Sequence, residues 1–388
     1  MARTAKTLLK RMFDLVHRFA DAGRIEAAKR RQADMLAMRP SDYIPMIFTR
    51  DVPEMQGLPS FDWAEQFHDP AKSLYMQLKD DVLPRLAAGG DVVPCVRADT
   101  GVINCMTVFG ARFDVPGHTK PVITQYVPKE ALVEWQPPSD IHRLGVLPKM
   151  IEHMEHHVAA LKRHGLWDLV RLVHSDQQGP FDIAAQVRGH DIFLDFYEDP
   201  SFVHKHMQDC TYVYIEVSRL CKRYDPSPMG GGAGGGYWMD NGTVRMCGDS
   251  DILISADLHR KFVAPYHQQA LKAMGGGWFH YCGGMPGFNR REGLHLHEVY
   301  AGIECLRGLN WTTAGDWPAE MRRLRQLGLC HLGALPRKDA EPLADYFRRI
   351  LSVYPERTGL VLDGPDIMPD EADAALGLWR KIQDKAYR

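Results

Sequence analysis

Long hydrophobic runs are missing from this 388-residue chain. No apolar stretch approaches the ~20 residues needed to cross a bilayer, which argues against a membrane-spanning helix. The first residues also lack the basic start, apolar core and small-residue cleavage site of a secretory signal, so the expected location is the cytoplasm. An excess of charge of one sign is missing too. Lys+Arg total 47 against 49 Asp+Glu, a net −2, so nothing attracts nucleic acid globally. Cysteine is sparse: 8 residues at irregular spacings make no disulfide framework, and reduced thiols are expected. Neither a P-loop Lys-Ser/Thr nor a Gly-rich dinucleotide fingerprint is present.

What is there is an ordinary globular composition, 45% apolar and 25% charged. The one local charge imbalance is at residues 1–40, with ten Lys/Arg against four Asp/Glu. There Leu9, Met12, Phe13, Val16 and Ala20 recur at helical spacing, predicting an amphipathic helix packed on the domain with a basic outer face. Arg39-Pro40-Ser41-Asp42 stops it. Beyond this point short apolar runs alternate with long helical patterns. Candidate strands are Tyr43–Phe48, Val92–Val96, Leu169–His174, part of Tyr237–Cys247, Trp278–Cys282, Leu306–Trp311, Cys330–Leu335 and Gly359–Leu362. Candidate helices include Pro148–Gly165, Pro200–Tyr224, Ala256–Met274, Trp317–Leu327 and Glu341–Val353. This alternation is the pattern of parallel βαβ units. The reading is an α/β fold, a (β/α)8 TIM-type barrel over residues 41–388 with an N-terminal helical extension over 1–40. Gly230–Gly236, six glycines and one alanine, reads as a loop because glycine pays heavily in entropy to be held in regular structure.

In a parallel barrel the site is built where strands end. Polar residues at the candidate strand ends are Arg50, Asp99, Asp176, Gln177, Gln178, Cys247, Asp249, His280, Cys282, Asn310, Asp316, His331 and Asp363. His280 and Cys282 stand out, since residues i and i+2 of a strand face the same side and can share one target. Imidazole plus thiolate is half of a tetrahedral zinc site. Cys247 and Asp249 end the preceding strand and are the nearest candidates to complete it, while Asp363 reaches in from the last strand. The same pair can also be buried as ordinary core. His153 with His157, His204 with His206, and His295 with His297 read as solvated polar segments rather than ligands.

Several of these segments line up, in order, with a known family. Gly101, Phe109-Gly110-Ala111, Gln178-Gly-Pro-Phe-Asp182, Asp199-Pro200, Asp249-Ser-Asp-Ile-Leu-Ile-Ser255, Phe262-Val-Ala-Pro265-Tyr266 and Trp278–Gly284 resemble motifs of the uroporphyrinogen decarboxylase superfamily. The resemblance runs from about Arg39 to the C-terminus and implies a (β/α)8 barrel. True decarboxylases grip substrate carboxylates with two Arg on an N-terminal loop. Here Pro45–Glu54 keeps only Arg50, and the family's pyrrole-binding Asp is not recognisable. The other branch, similar to methylcobalamin:coenzyme M methyltransferases, binds zinc through His-x-Cys and a distant C-terminal Cys. His280 and Cys282 match the first two. The last strand reads Leu360-Val-Leu-Asp363, so Cys247, Asp249 or Asp363 would stand in for the third ligand.

The resemblance therefore implies a zinc-dependent methyltransferase moving a methyl group between a corrinoid and a small acceptor; Arg50 or Gln178 is read as contacting substrate, and Asp176 is a further catalytic candidate. A corrinoid protein is the implied partner, and Pro148–Gly165 and Pro200–Tyr224 offer faces for a homodimer. Two alternatives stand beside it. One is a cofactor-free decarboxylase of a carboxylated pyrrole or other small acid, with Arg50 as clamp and His280 or Asp176 as proton donor. The other is a non-catalytic tetrapyrrole or corrinoid binder.

Overall fold

Apolar runs too short for helices fold into parallel strands that are buried almost throughout. The computed structural model describes residues 2–232, 235–283, 293–313 and 317–387. The parallel strands are β1 (Met46–Ile47), β2 (Cys95–Arg97), β3 (Arg171–Val173), β4 (Val244–Cys247), β5 (Gly277–Tyr281), β6 (Leu306–Trp311), β7 (Cys330–Gly333) and β8 (Leu360–Asp363). Six of them form one sheet in the order β1-β8-β7-β6-β5-β4, every neighbouring pair parallel. β2 and β3 form a separate parallel pair. Helices intervene between successive strands, as parallel crossovers require.

Thin links run between the two sheets. Gln178 and Cys247 make an isolated parallel bridge, and the Gly179 N–H donates to Cys247 O at 2.7 Å. On the other side the Asp91 N–H donates to Met46 O at 2.8 Å. Among the described residues no continuous strand ladder closes the six-stranded sheet on itself. No helix is long and apolar enough to cross a membrane, again among the described residues.

The first two helices, α1 (Ala2–Phe19) and α2 (Ala22–Leu36), bury Leu9, Met12, Phe13, Val16, Met35 and Leu36 in the main core. Asp21 caps α2 by accepting the Arg24 N–H. Arg31 on α2 pairs with Asp42 and Asp91, and Asp91 in turn accepts the Met46 N–H at 3.0 Å. One buried ion pair thus pins the N-terminal helices to the start of β1.

Two expectations fail for identifiable reasons. The glycine run is not a loop in its described part: Met229–Gly232 and Gly235–Trp238 pair antiparallel, while residues 233–234 lie outside the described residues. Close packing outweighs the entropy of fixing glycine. A Cβ on Gly230 would lie 3.1 Å from the Trp278 indole nitrogen, and one on Gly236 would collide with Met229. The predicted helix Ala256–Met274 is two helices, Ala256–Phe262 and Ala264–Ala273, parted at Val263. Pro265 has no N–H to continue the first and suits the first turn of the second.

Candidate metal centre

The in-register pair Cys247 on β4 and His280 on β5 sets the centre. Cys247 Sγ donates to Asp249 Oδ2 at 3.3 Å, and the Cys282 N–H donates to Asp249 Oδ1 at 2.6 Å. Ligand atoms from Cys247, Asp249 and His280 all lie within 4.8 Å of one another. The predicted alternation along β5 is borne out in space: His280 Nε2 lies 3.2 Å from the exposed Cys282 Sγ.

The loop carrying Cys247 and Asp249 is held from beneath. Asp182, fully buried, accepts the N–H groups of Asp249 at 3.0 Å and Ser250 at 2.6 Å. Burial and the nearby Asp249 and Asp251 push its carboxyl well above the usual range.

Asn310 on β6 decides which nitrogen of His280 is bare. Its amide NH2 donates to Leu332 O, so Oδ1 faces His280 Nδ1 and must accept a proton from it. Burial and Arg245 hold the imidazole down at about 4, hence neutral near pH 7, with the Nε2 lone pair turned toward Cys282. Burial and Asp249 raise the Cys282 thiol to about 12 and push Cys247 well above an ordinary thiol. Without a cation the cluster is two thiols, a neutral ring and a carboxylate. A soft sulfur, an imidazole nitrogen and an oxygen converging on one point fit a zinc-type ion, which would replace the thiol protons.

A layer of buried ion pairs adjoins the centre. Asp176 pairs with Arg245 and, at 3.2 Å, with Arg97. Against the effect of burial, these two cations hold its carboxyl below the usual range. Arg97 also pairs with Asp99 at 2.8 Å, which Lys120 approaches at 3.5 Å. Asp363 is engaged elsewhere: Arg85 Nη1 is 2.9 Å from one oxygen, and the Tyr237 hydroxyl donates to the other at 2.8 Å. Asp363 and His280 instead face a common cavity of about 380 Å³, walled also by Tyr237, Arg245, Trp278 and Trp311.

The other sequence candidates fall elsewhere. Gln178 is buried, and its backbone bridges to Cys247. Arg50 is half exposed, pairs with Asp373 at 2.9 Å and lines a separate cleft of about 760 Å³ with Lys79 and Asp80. Asp316 and Gly284 lie outside the described residues. His153, His157, His206 and His297 are buried, not solvated; their helices bury a wider face than the polar sequence implies. Arg245, Trp278 and Asn310 were not singled out as partners of the centre. The signal existed for two of them: Arg245 is i−2 to Cys247, and Trp278 is i−2 to His280, so alternation alone puts each on a ligand's side.

No protein-family model matches the chain, and no curated protein matches its sequence. Among solved structures the chain is similar to a methyltransferase from Methanosarcina mazei, with TM-score 0.65 and 13% identity over 92% of this chain and 99% of that one. At this identity the likeness establishes a shared α/β fold.

Proposed function

We propose that this protein is a metal-dependent methyltransferase that moves a methyl group between a corrinoid and a small acceptor. The observation that carries the reading is the convergence of Cys247, Asp249 and His280 at adjacent strand ends, beside a cavity sized for a small molecule. The fold shared with a methyltransferase over 92% of the chain supports it. We also read the eight parallel strands as one closed (β/α)8 ring of residues 41–388, with residues 1–40 packed against it. The Gln178–Cys247 bridge and the Asp91–Met46 hydrogen bond support closure.

In this reading Cys247, Asp249 and His280 would hold a zinc ion, with Cys282 beside it and the fourth position left to the acceptor. Bound there, zinc would supply the Lewis acidity that lowers the pKa of an acceptor thiol, giving a nucleophile for the methyl group. The protein's own groups orient and insulate. Asn310 keeps the His280 proton on Nδ1, Asp182 holds the loop, and burial together with Arg245 keeps His280 neutral. Asp363, held by Arg85, fixes the Tyr237 hydroxyl on the far cavity wall, where the body of the acceptor sits. The ligand missing from the last strand is replaced by Cys247 from the strand next to His280.

The test is metal content per chain beside single variants. Zinc at this centre should disappear in His280→Ala and Cys247→Ser and persist in Asp363→Asn. The parent enzyme, incubated with methylcobalamin and a small thiol, should consume the methylcobalamin absorption. Absence of metal at this centre after zinc incubation would sink the reading, and loss of the ion in Asp363→Asn but not Cys247→Ser would sink the ligand assignment.

A further inference from the structure

A second donor group lies behind the loop that carries Cys247 and Asp249, and the methyltransferase reading makes no use of it. Asp251, His259 and His267 are each fully buried. Asp251 Oδ2 lies 2.8 Å from His259 Nε2, 3.0 Å from His267 Nε2 and 3.4 Å from the Tyr300 hydroxyl. The break at Val263 makes this convergence, because the two histidines sit on successive helices and face one carboxylate. Phe279 packs on both His267 and Tyr300, with ring centroids 5.3 and 4.7 Å apart, and walls the group off from His280.

Two observations point to a cation. The first is charge. Among the described residues Asp251 pairs with these two histidines and with no Lys or Arg. A buried carboxylate without a compensating cation is strongly disfavoured. The second is the set of unpartnered atoms. Asp251 Oδ1, His259 Nδ1 and His267 Nδ1 are buried with no hydrogen-bond partner. As the chain stands each ring donates its Nε2–H to Asp251 Oδ2, and a bound cation would take the place of both protons, the rings then carrying theirs on Nδ1. Zinc bonds of about 2.0–2.1 Å put tetrahedral ligand edges near 3.3 Å. The separations of 2.8, 3.0 and 3.4 Å lie within about half an ångström of that edge.

We propose that Asp251, His259 and His267, with Tyr300 as fourth donor, form a second, structural site for a divalent ion of the zinc class. It ties the loop 247–251 to the helix pair behind it and has no opening to solvent. The site is independent of the methyltransferase reading. The test is metal content of the full-length Cys247→Ser/His280→Ala double variant, with cobalt(II) as a spectroscopic probe. One tightly held cobalt, with tetrahedral d–d bands and no thiolate charge-transfer band, is expected. His259→Gln or His267→Gln in the parent should remove one equivalent and leave the thiolate band in place. No metal in the double variant after incubation with cobalt or zinc overturns the proposal. So does unchanged metal content in a folded His267→Gln protein. Should the glutamine variants fail to fold, the double variant alone decides.

Discussion

Replacing Gly248 by alanine tests whether the loop between β4 and its following turn is held in one place by packing. A Cβ at Gly248 would fall against Cζ and Cε1 of Phe279, well inside van der Waals contact, and 3.0 Å from Asp251 Cγ. Restoring a contact of about 3.6 Å demands a shift of more than about 1 Å. Phe279 cannot supply it, being fully buried and packed on His267 and Tyr300. The loop gives instead, and Cys247 and Asp249 ride on it. A metal site tolerates about 0.5 Å, so affinity should fall roughly 10- to 100-fold, as when the support of a ligand is removed. Overpacking of this kind costs about 1–3 kcal/mol. At about 2.1 cal/mol/K of unfolding entropy per residue, a 388-residue chain loses roughly 1–4 °C of Tm. Zinc competition titration reads the first effect and scanning calorimetry the second. Phe279→Leu removes Cζ and Cε1, so the double variant should recover part of both losses, a coupling of about 0.5–3 kcal/mol. A Gly248→Ala protein with parental affinity and Tm, or a double variant that is merely additive, would refute the reasoning.

Two further outcomes are expected. Burial holds His153, His206 and His331 at about 4 in the folded chain against 6.5 for the free side chain. The unfolded chain therefore binds more protons between these values, and stability present above pH 6.5 is lost as pH falls toward 4. Each such histidine contributes a slope of about 1.4 kcal/mol per pH unit, so urea midpoints should be flat from pH 7 to 8 and drop steeply from 6 to 5; a flat profile over pH 5–7 would count against the burial. Arg245→Met leaves buried Asp176 with Arg97 at 3.2 Å and Lys120 at 3.9 Å and should cost about 3–5 kcal/mol, most of it recovered by adding Asp176→Asn; equal denaturation midpoints for parent and Arg245→Met would show that the pair carries no such energy.

Much of this molecule is legible along the chain because the relevant signals are local. The span Leu306–Trp311 is a strand and Pro200–Tyr224 a helix with the predicted ends. Asp199 caps that helix by accepting the Phe202 N–H and Pro200 opens it, where the family resemblance placed a helix start. The i, i+2 relation of His280 and Cys282 likewise needs only the two-residue period of a strand. The glycine ribbon was illegible for the opposite reason. Its stability comes from backbones lying against Trp278, Met229 and Cys95, contacts that no local propensity records.

By itself, then, the sequence determined the α/β class of fold, the strand and helix rhythm, and the chemical types gathered at the candidate site: thiols, imidazole and carboxylate at strand ends. Tertiary structure alone decided which of them meet. As text, Cys247 was the nearer candidate and Asp363 a further one. In space Arg85 and Tyr237 engage Asp363, while parallel register puts Cys247 opposite His280. Nor did the text mark Asp251, His259 and His267 as a group, since their meeting depends on a helix break and a buried carboxylate. Periodicity is a property of neighbours along the chain. Ligation and charge pairing are set by distances between segments far apart in it, which exist only once the sheet has assembled.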